Sequence, residues 1–391
     1  MPTKIHPQAV PATLLGLAVT VILVLVLAGV VALSSAEAAS SLSCGDTITT
    51  DATLHHNLVN CPNNGIIIGA DNVTLDLNYH TIDGDGTPAA GCNPRTDFCD
   101  VGVVNFGHDG VTVIHGSLRQ FAAGVDFGEA RHTRLLGISA SRNGDAGIQL
   151  FGSSRILVRN CSGNRTTSRE GEGVGVFDSR HVRILNSSFR HNAHVGIKPV
   201  DSTNGVIKGN LMAQNGDEGF LMEGGEGFQI RHNRLIGNGA GITLGPGTRN
   251  VITRNHVSGG REGIRIEKGH DNLVAHNVVV HAHRAGIRLG IRHPFLGGAH
   301  NVIRGNLVKD SRADGFVVLK KDRHSRLKGN TARRSGDDGF DVASRSATLT
   351  SNRAIRNGDL GIEAVPGVND GGGNIARHNG DPRQCTNIVC K

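Results

Sequence analysis

Apolar residues recur along this chain in short runs of three to five positions, in which they alternate with polar residues. From residue 124 onward the runs start with a glycine and an apolar residue, and this pair returns at spacings of 22 to 29 residues. Gly241-Ile242, Gly263-Ile264 and Gly286-Ile287 are examples. A period of two predicts strands rather than helices. A repeat of this length predicts a solenoid of stacked, similar turns.

A second series of residues keeps step with the glycine pairs and consists of asparagines. Its members are Asn160, Asn186, Asn210, Asn233, Asn255, Asn277, Asn306, Asn330 and Asn352. Asparagine tolerates left-handed backbone conformations and bonds to neighbouring backbone, so we expect it at a corner that repeats in every turn. Stacked asparagines can also bond to one another along the axis. Short strands separated by such corners predict an all-β chain, a parallel β-helix of about 12 coils.

Two segments near the start of the chain resemble the first coils of secreted bacterial β-helix proteins. They are residues 44–48 (CGDTI) and 72–84 (NVTLDLNYHTIDG). With the repeat, over roughly residues 65–380, they make the chain resemble the right-handed parallel β-helix repeat proteins, which include pectate-lyase-like and NosD-like members. The resemblance implies a right-handed solenoid with capped ends. It leaves the activity open, because the superfamily contains lyases, hydrolases, epimerases and non-enzymes.

The chain divides into a signal segment (1–39), an N-terminal cap (40–64), β-helix repeats (65–365) and a C-terminal cap (366–391). Lys4 precedes an apolar stretch of 20 residues from Leu14 to Leu33, and the cleavage pattern Ala36-Glu37-Ala38 follows. We expect cleavage after Ala38; the alternative is an uncleaved membrane anchor, because such a stretch could span a bilayer. Either way, residues 40–391 are expected outside the cytoplasm, as a secreted, periplasmic or cell-surface protein.

Cysteine usage agrees with export, because disulfides persist in oxidising compartments. Six of the seven cysteines can pair locally, as Cys44–Cys61, Cys92–Cys99 and Cys385–Cys390, and these pairs would stabilise the ends of the solenoid. This is the simplest pairing, although spacing alone leaves others open. Cys161 is left over, and we expect it to be a small structural thiol.

Composition narrows the classes of partner. The formal net charge of +7 suits a polyanion, although acidic residues are interspersed with the basic ones and a mixed solvated surface is the alternative. Nucleic acid is disfavoured, because the chain has no Trp and one Tyr and therefore lacks an aromatic stacking platform. We expect a monomer, with membrane contact only through an uncleaved anchor. Loops near 89–100, 166–172 and 292–298 are expected to project and to carry binding functions.

Outward positions of the repeated strand supply the first candidate site. In each strand the residue after the Gly-apolar pair points outward, which places Arg265 and Arg288 on adjacent coils, about 5 Å apart. Two such cations favour an anion between them, and arginine suits a carboxylate. The predicted site also contains Glu223 and Glu267, as oxygen ligands for calcium or as orienting groups. Lys320 and Lys321 are its candidate bases for a lyase reaction. The alternative is that Glu267 simply neutralises the two arginines.

Acidic residues supply the second candidate. Asp341 and Glu363 fall in the same outward column on adjacent coils, a separation that suits the carboxylate pair of a retaining glycosidase. Asp337 and Asp338 precede them, and polygalacturonases also carry an Asp-Asp pair. The other polygalacturonase motifs and the Asp-Pro-His-Glu signature of alginate epimerases are absent, which disfavours both activities.

Histidines supply the third candidate, a copper or zinc site. His232, Arg254 and His276 precede successive ladder asparagines, His281 and His283 share a face, and His293 lies in the long insertion. We therefore predict an exported β-helix protein that binds an acidic polysaccharide along its exposed sheet and could cleave it, with a lyase more plausible than a hydrolase. The alternatives are a non-catalytic envelope protein and a NosD-like accessory protein for a metal site.

Overall fold

The computed structural model describes residues 41–87, 91–92, 99–291 and 297–391. The predicted signal segment 1–39, most of the loop 89–100 and most of the insertion 292–298, including His293, lie outside the described residues. Every regular element in the described part is a β-strand. None of these residues forms a helix that is long and apolar enough to cross a membrane.

Parallel strands of successive coils form one long sheet, here called sheet 1. Its fifteen strands in the described residues are Asp46–Ile48, Ile66–Ile68, Val101–Phe106, Ala123–Gly128, Ala146–Phe151, Glu172–Phe177, Ile197–Val200, Glu218–Met222, Ala240–Leu244, Ile264–Ile266, Ile287–Leu289, Phe316–Val318, Phe340–Val342, Ile362–Ala364 and Cys385–Thr386. Thirteen of them carry a glycine followed by an apolar residue, because Gly65-Ile66 and Gly102-Val103 precede the eleven pairs that start at Gly124. The estimate of about 12 coils, which added the N-terminal turns to the eleven pairs from Gly124, was low, because sheet 1 has three strands before these pairs and one after them.

The remaining strands form two further stacks, which share the long strands Thr112–Arg119 and Arg134–Ser141. Sheet 2 contains, besides these, Ala52–Thr53, Thr74–Asp76, Leu157–Arg159, Arg183–Leu185, Val206–Lys208, Gln229–Arg231, Val251–Thr253, Leu273–Ala275, Val302–Arg304, Arg326–Lys328, Thr348–Thr350 and Asn369–Asp370. Sheet 3 contains Leu58–Cys61, Thr81–Gly84, Ser162–Asn164, Ser188–Arg190, Leu211–Ala213, Arg234–Ile236, His256–Ser258, Val278–Val280, Leu307–Lys309, Thr331–Arg333, Arg353–Ile355 and Ile375–Arg377. The predicted parallel β-helix is confirmed.

The core lies inside the coils and consists of stacked apolar side chains. Ile242, Ile264 and Ile287 follow one another in register on successive strands of sheet 1, and all three are buried. Phe316 and Phe340 stack in the same way, with ring centroids 4.6 Å apart. Each coil therefore buries its apolar face mainly against its two neighbours, as expected for a solenoid.

Buried asparagines form the predicted ladder. Asn255 donates from Nδ2 to the carbonyl of Ile230 (2.9 Å) and to Oδ1 of Asn277 (3.0 Å). It accepts at Oδ1 from the backbone and the side chain of Asn233. The first two expected members were wrong, because Cys161 and Ser187 occupy the ladder position. Asn160 and Asn186 precede them with φ of 55° and 49°, the left-handed conformation that asparagine tolerates.

The three expected disulfides are present: Cys44–Cys61, Cys92–Cys99 and Cys385–Cys390. The first and last lie in the first and last coils, so the ends of the solenoid are cross-linked as predicted. Cys161 is a buried free thiol, and burial raises its pKa to about 11. A thiol of this kind is a poor nucleophile, in agreement with a structural role.

Candidate functional site

A cleft of about 450 Å³ opens on the outer face of sheet 1, in the coils that begin with Gly263, Gly286 and Gly315. Charged residues dominate its lining: Arg261, Glu262, Arg265, Arg284, Arg288, Asp314 and Asp341. Four of these are arginines and three are acids. The cleft therefore contains Arg265 and Arg288 of the first candidate site.

Arg265 and Arg288 form the inner part of the cleft. They are register partners on adjacent strands, and each lies between two buried apolar residues whose side chains point inward. The predicted placement of the two arginines side by side on the outer face is therefore confirmed. Their side chains are only 19% and 12% exposed, so they lie in the floor of the cleft rather than at its rim.

The carboxylate of Glu262 lies between the two inner arginines. Its Oε1 accepts from Nε of Arg288 (2.7 Å), and its Oε2 accepts from Nη2 of Arg288 (3.2 Å) and Nη1 of Arg265 (3.4 Å). The glutamate is 10% exposed. The anion expected between the arginines is thus supplied by the chain itself.

Two further glutamates complete this inner network. Glu218 accepts from Nη2 of Arg265 at 2.9 Å. Burial raises the pKa of Glu218, and the charge of Arg265 opposes that shift. Glu267 lies 3.2 Å from Nε of Arg265 and 3.6 Å from Nη2 of Arg288. Glu267 therefore contacts both arginines, as expected from the alternative interpretation that it simply neutralises them.

Two exposed arginines form the rim of the cleft. Arg261 and Arg284 occupy the same corner position on adjacent coils, and the backbone N–H of Arg284 donates to the carbonyl of Arg261 at 2.7 Å. Neither forms an ion pair with any residue that the structure describes. Gly239 and Ala313 hold this corner position on the flanking coils, so the two cations form an isolated pair on that edge. The positive charge of the cleft that is not neutralised lies here.

An acidic group adjoins the cleft on the coils that follow. Asp341 and Glu363 are register partners, as predicted. Ligand oxygens of Asp314, Asp337 and Asp338 lie within 4.8 Å of one another. Burial, together with a hydrogen bond to Glu363 and the charges of Asp337 and Glu363, raises the pKa of Asp338 to about 8. The raised pKa favours the protonated form of this carboxyl group, which can donate a hydrogen bond.

The other predicted site residues lie apart from the cleft lining. Lys320 and Lys321 occupy the turn after Phe316–Val318, where Lys320 is exposed. Glu223 and Glu267 are two coils apart, with Gly245 on the coil between them. Glu223 lies 3.6 Å from Lys198, whereas Glu267 contacts the arginines. The structure does not bring the two glutamates together as ligands of one ion.

The histidines are spread along the corners of the coils. His232, Arg254 and His276 follow one another on successive coils with φ of 54° to 56°. His281 and His283 are exposed. His300 and His324 stack with ring centroids 5.2 Å apart. Among the described residues, the group of three side chains close enough to share a metal ion is the aspartate group, which contains no histidine or cysteine.

Sequence reasoning missed Glu262, Glu218 and Asp314, which all precede a repeated glycine. If side chains alternated strictly between outward and inward in the residues before Arg265, the position of Gly263 would face outward and the side chain of Glu262 would face the core. A Cβ on Gly263, however, would lie 2.2 Å from Cγ1 of Val279 in the core, so this position faces inward and the alternation breaks at the corner. An acid directly before the repeated glycine recurs along the sequence, and this recurrence could have pointed to these residues: Glu172, Glu218, Glu262, Asp314 and Asp338.

Comparison with solved structures supports the fold. The periplasmic alginate epimerase AlgG is 14% identical over 82% of this chain and 84% of its own, with a TM-score of 0.56. A mutant of AlgG matches over 87% of this chain and 78% of its own, at 14% identity and a TM-score of 0.54. The catalytic unit of an α-1,3-glucanase from Streptomyces thermodiastaticus is 16% identical over 90% of this chain and 61% of its own, with a TM-score of 0.49. The two AlgG structures, at 14% identity, show a likeness of fold alone.

Sequence comparison gives a more specific result. No curated protein sequence is significantly similar to this chain. The profile of the family described as periplasmic copper-binding protein (NosD) matches residues 95–239 and 217–372. These two matches overlap and together cover well over half of the chain, including every coil of the cleft. The protein therefore belongs to the NosD family of right-handed parallel β-helix proteins.

Proposed function

We propose that this protein is an extracytoplasmic binding protein for an acidic polysaccharide, which it holds along sheet 1 with its carboxylates at Arg261 and Arg284. The observation that carries the proposal is the exposed arginine pair at the rim of the cleft, which has no acidic partner among the described residues. Arginine presents a planar fork of donors that matches a carboxylate. A uronic-acid polymer presents carboxylates at regular intervals, as the coils present these two arginines.

The inner arginines have a different part in this proposal. Arg265 and Arg288 are already bonded to Glu262, Glu218 and Glu267, so a bound polymer would have to displace a buried carboxylate to reach them. Such an exchange is unfavourable, because it leaves the displaced charge without its partner. The inner network of two arginines and three glutamates therefore offers no free cation to the polymer, and recognition falls to the rim.

Extracytoplasmic location is supported by the three disulfides and by the periplasmic description of the family. The predicted signal segment would provide the route. Alginate is the first polymer to test, because the structural neighbour AlgG acts on it and it is a polymer of uronic acids.

Cleavage is less well supported than binding. A lyase needs a base beside the substrate carboxylate, and the lysines predicted for that role, Lys320 and Lys321, do not line the cleft. Asp341 lines it, and Glu363 follows on the next coil. These acids, with the protonated carboxyl of Asp338, are the groups that a chemical step at this site would use.

Copper, which the family description names, does not fit the residues described here. The group of three candidate ligands is Asp314, Asp337 and Asp338, and carboxylate oxygens suit hard cations such as calcium or magnesium. Copper prefers imidazole and sulfur ligands. The stacked rings of His300 and His324 have no third ligand of this kind within reach among the described residues.

The test is a binding panel with the purified protein. Alginate, pectate, hyaluronan and chondroitin are compared with neutral dextran at low salt, while absorbance of unsaturated uronates reports any cleavage. We expect at least one acidic polymer to bind and the double variant Arg261→Gln/Arg284→Gln to bind it about tenfold more weakly, because two exposed charge contacts contribute about 1.4 kcal/mol together.

The charge-matched control is Arg183→Gln/Arg326→Gln, which removes two exposed arginines from sheet 2. We expect this variant to bind like the wild type. An equal loss of affinity in both double variants would show that net charge alone drives binding and would refute the assignment to the cleft.

A further inference from the structure

A pocket of about 260 Å³ lies at the ends of three neighbouring strands of sheet 3, on a different sheet from the arginine cleft. Its lining consists of polar residues: Ser141, Asn164, Arg165, Arg190 and His191. None of them is acidic, and the two arginines give the lining two positive charges at neutral pH. A pocket of this composition attracts a small anion.

The register of the coils brings these residues together. Ser141, Asn164 and Arg190 are successive register partners, each the last residue of its strand. Arg165 and His191 follow the second and third of these strands at the corner, with φ of 58° and 57°. The backbone N–H of Arg165 donates to the carbonyl of Arg190 at 3.0 Å, so the two coils are bonded to each other at this corner.

The positive charge of this pocket is confined to it by the coils on either side. Toward the N-terminus the register partner of Ser141 is Arg119, whose charge is neutralised by Asp83 at 2.8 Å. Toward the C-terminus the same column continues with Ala213 and Ile236, which carry no charge. The cations of the pocket therefore form a local group and not part of a continuous basic stripe along this column.

The polar groups of the pocket are available to a ligand. Arg165, Arg190 and His191 are exposed, and their side chains form no ion pair or hydrogen bond within the part of the chain that the structure describes. Asn164 accepts at Oδ1 from the backbone N–H of Arg190 at 2.8 Å. This bond fixes the amide group and leaves its Nδ2 as a donor.

We propose that this pocket binds the phosphate group of a phosphate monoester, with the phosphate oxygens at Arg165, Arg190 and Asn164. The phosphate of a monoester carries a charge of about −1.5 to −2 near neutral pH and has three acceptor oxygens. Two guanidinium groups match this charge, and the planar fork of each can bond two of the oxygens. A carboxylate, with one charge and two oxygens, would leave part of this donor set unused.

The size of the pocket limits what is attached to the phosphate. Its volume of about 260 Å³ is just below the range of about 300–1,000 Å³ that is typical of small-molecule sites. It therefore suits a phosphate that carries a group of the size of glycerol or of one sugar. The hydroxyl of Ser141 can bond to a hydroxyl group of either. The proposal does not depend on the acidic polysaccharide of the arginine cleft.

Phosphorus NMR titrations of the purified protein, in a phosphate-free buffer of low salt, test this proposal. The probes are inorganic phosphate, glycerol phosphate and glucose phosphate, the last esterified at the primary hydroxyl. We expect both esters to bind at least as tightly as inorganic phosphate, and the tighter ester identifies the attached group. Binding of inorganic phosphate alone, or of none of the three, would overturn the proposal.

Competition with glucuronate tests the preference for phosphate over carboxylate. Glucuronate carries a carboxylate where the glucose ester carries its phosphate. It should displace the glucose ester only at a tenfold or greater excess. Displacement at equal concentration would overturn the assignment of a phosphate site.

Two variants locate the bound phosphate. Asn164→Asp keeps the acceptor for the N–H of Arg190 but replaces the Nδ2 donor with an anionic oxygen, so it should weaken ester binding tenfold or more. Arg165→Gln/Arg190→Gln removes both cations at exposed positions, where folding is little affected, and should weaken binding about tenfold. Unchanged binding in the folded variants would contradict the proposed placement.

The arginine cleft supplies the matched control, because it also presents two exposed arginines. Arg261→Gln/Arg284→Gln should bind the esters like the wild type, and Arg165→Gln/Arg190→Gln should bind alginate like the wild type. An equal loss of ester binding in both double variants would show an effect of net charge and overturn the phosphate pocket. A failure of alginate binding with retained ester binding would refute the proposed function alone.

Discussion

Replacing Glu262 with glutamine tests the inner network of the cleft most sharply. The substitution keeps the shape of the side chain and removes the charge that lies between Arg265 and Arg288. Arg265 would keep Glu218 at 2.9 Å and Glu267 at 3.2 Å. Arg288 would keep the carbonyl of Gly290 at 2.5 Å and Glu267 at 3.6 Å. The substitution therefore weakens the contacts of Arg288 more than those of Arg265.

The expected cost follows from the burial of this group. Removing one partner of a buried ion pair costs about 3–5 kcal/mol, because it leaves a charge without compensation. Glu262 is 10% exposed and Arg288 is 12% exposed, so most of that cost applies, whereas Glu267 still compensates part of the charge. We expect Glu262→Gln to lower the free energy of unfolding by about 3 kcal/mol.

Two matched variants calibrate the measurement. Glu267→Gln removes a carboxylate that is 24% exposed and makes longer contacts, so its cost should be about 1 kcal/mol. Glu226→Gln breaks the exposed pair with Arg249 and should cost less than about 0.5 kcal/mol. Urea unfolding, with the m-values compared to verify that the same unit unfolds, gives the three values. A cost for Glu262→Gln no greater than that for Glu226→Gln would refute a buried network of ion pairs that stabilises the floor of the cleft.

Two further predictions concern the solenoid itself. Asn255→Leu should lower the free energy of unfolding in urea by about 3 kcal/mol, because it leaves the N–H of Asn233 and the carbonyl of Ile230 buried without their partner. Ser187→Ala should lower it by about 1 kcal/mol. Equal costs for the two variants would contradict the ladder. Burial raises the pKa of Asp126 to about 7, so between pH 4 and 7 the folded protein holds a proton that the unfolded chain has lost, and stability should fall as pH rises through that window. Asp126→Asn should flatten this slope and stabilise the protein at pH 8 relative to the wild type; an unchanged slope would show that Asp126 is not its source.

The sequence predicted the solenoid well because its determinants repeat. Each glycine pair, such as Gly263-Ile264, carries the same packing requirement in every coil, so register and outward columns follow from spacing alone. Arg265 and Arg288 were found in this way. The position of Glu262 could not be found by alternation, because the chain bends at Gly263 and the residue before the bend turns outward.

Ladder membership shows a second limit of sequence reasoning. Asn160 and Asn186 lie one residue before the ladder position, at a corner whose left-handed backbone also favours asparagine. The corner position and the ladder position next to it therefore both favour asparagine, for different physical reasons.

The salt dependence of alginate binding tests the central claim most directly. The dissociation constant is measured by titration calorimetry at several NaCl concentrations for the wild type, Arg261→Gln/Arg284→Gln and Arg183→Gln/Arg326→Gln. The account predicts that wild-type affinity falls steeply with salt and that the cleft variant loses both affinity at low salt and most of this dependence, because exposed charge contacts are screened. The sheet 2 variant should follow the wild type. Identical curves for all three proteins would contradict recognition of the polymer by the arginine pair.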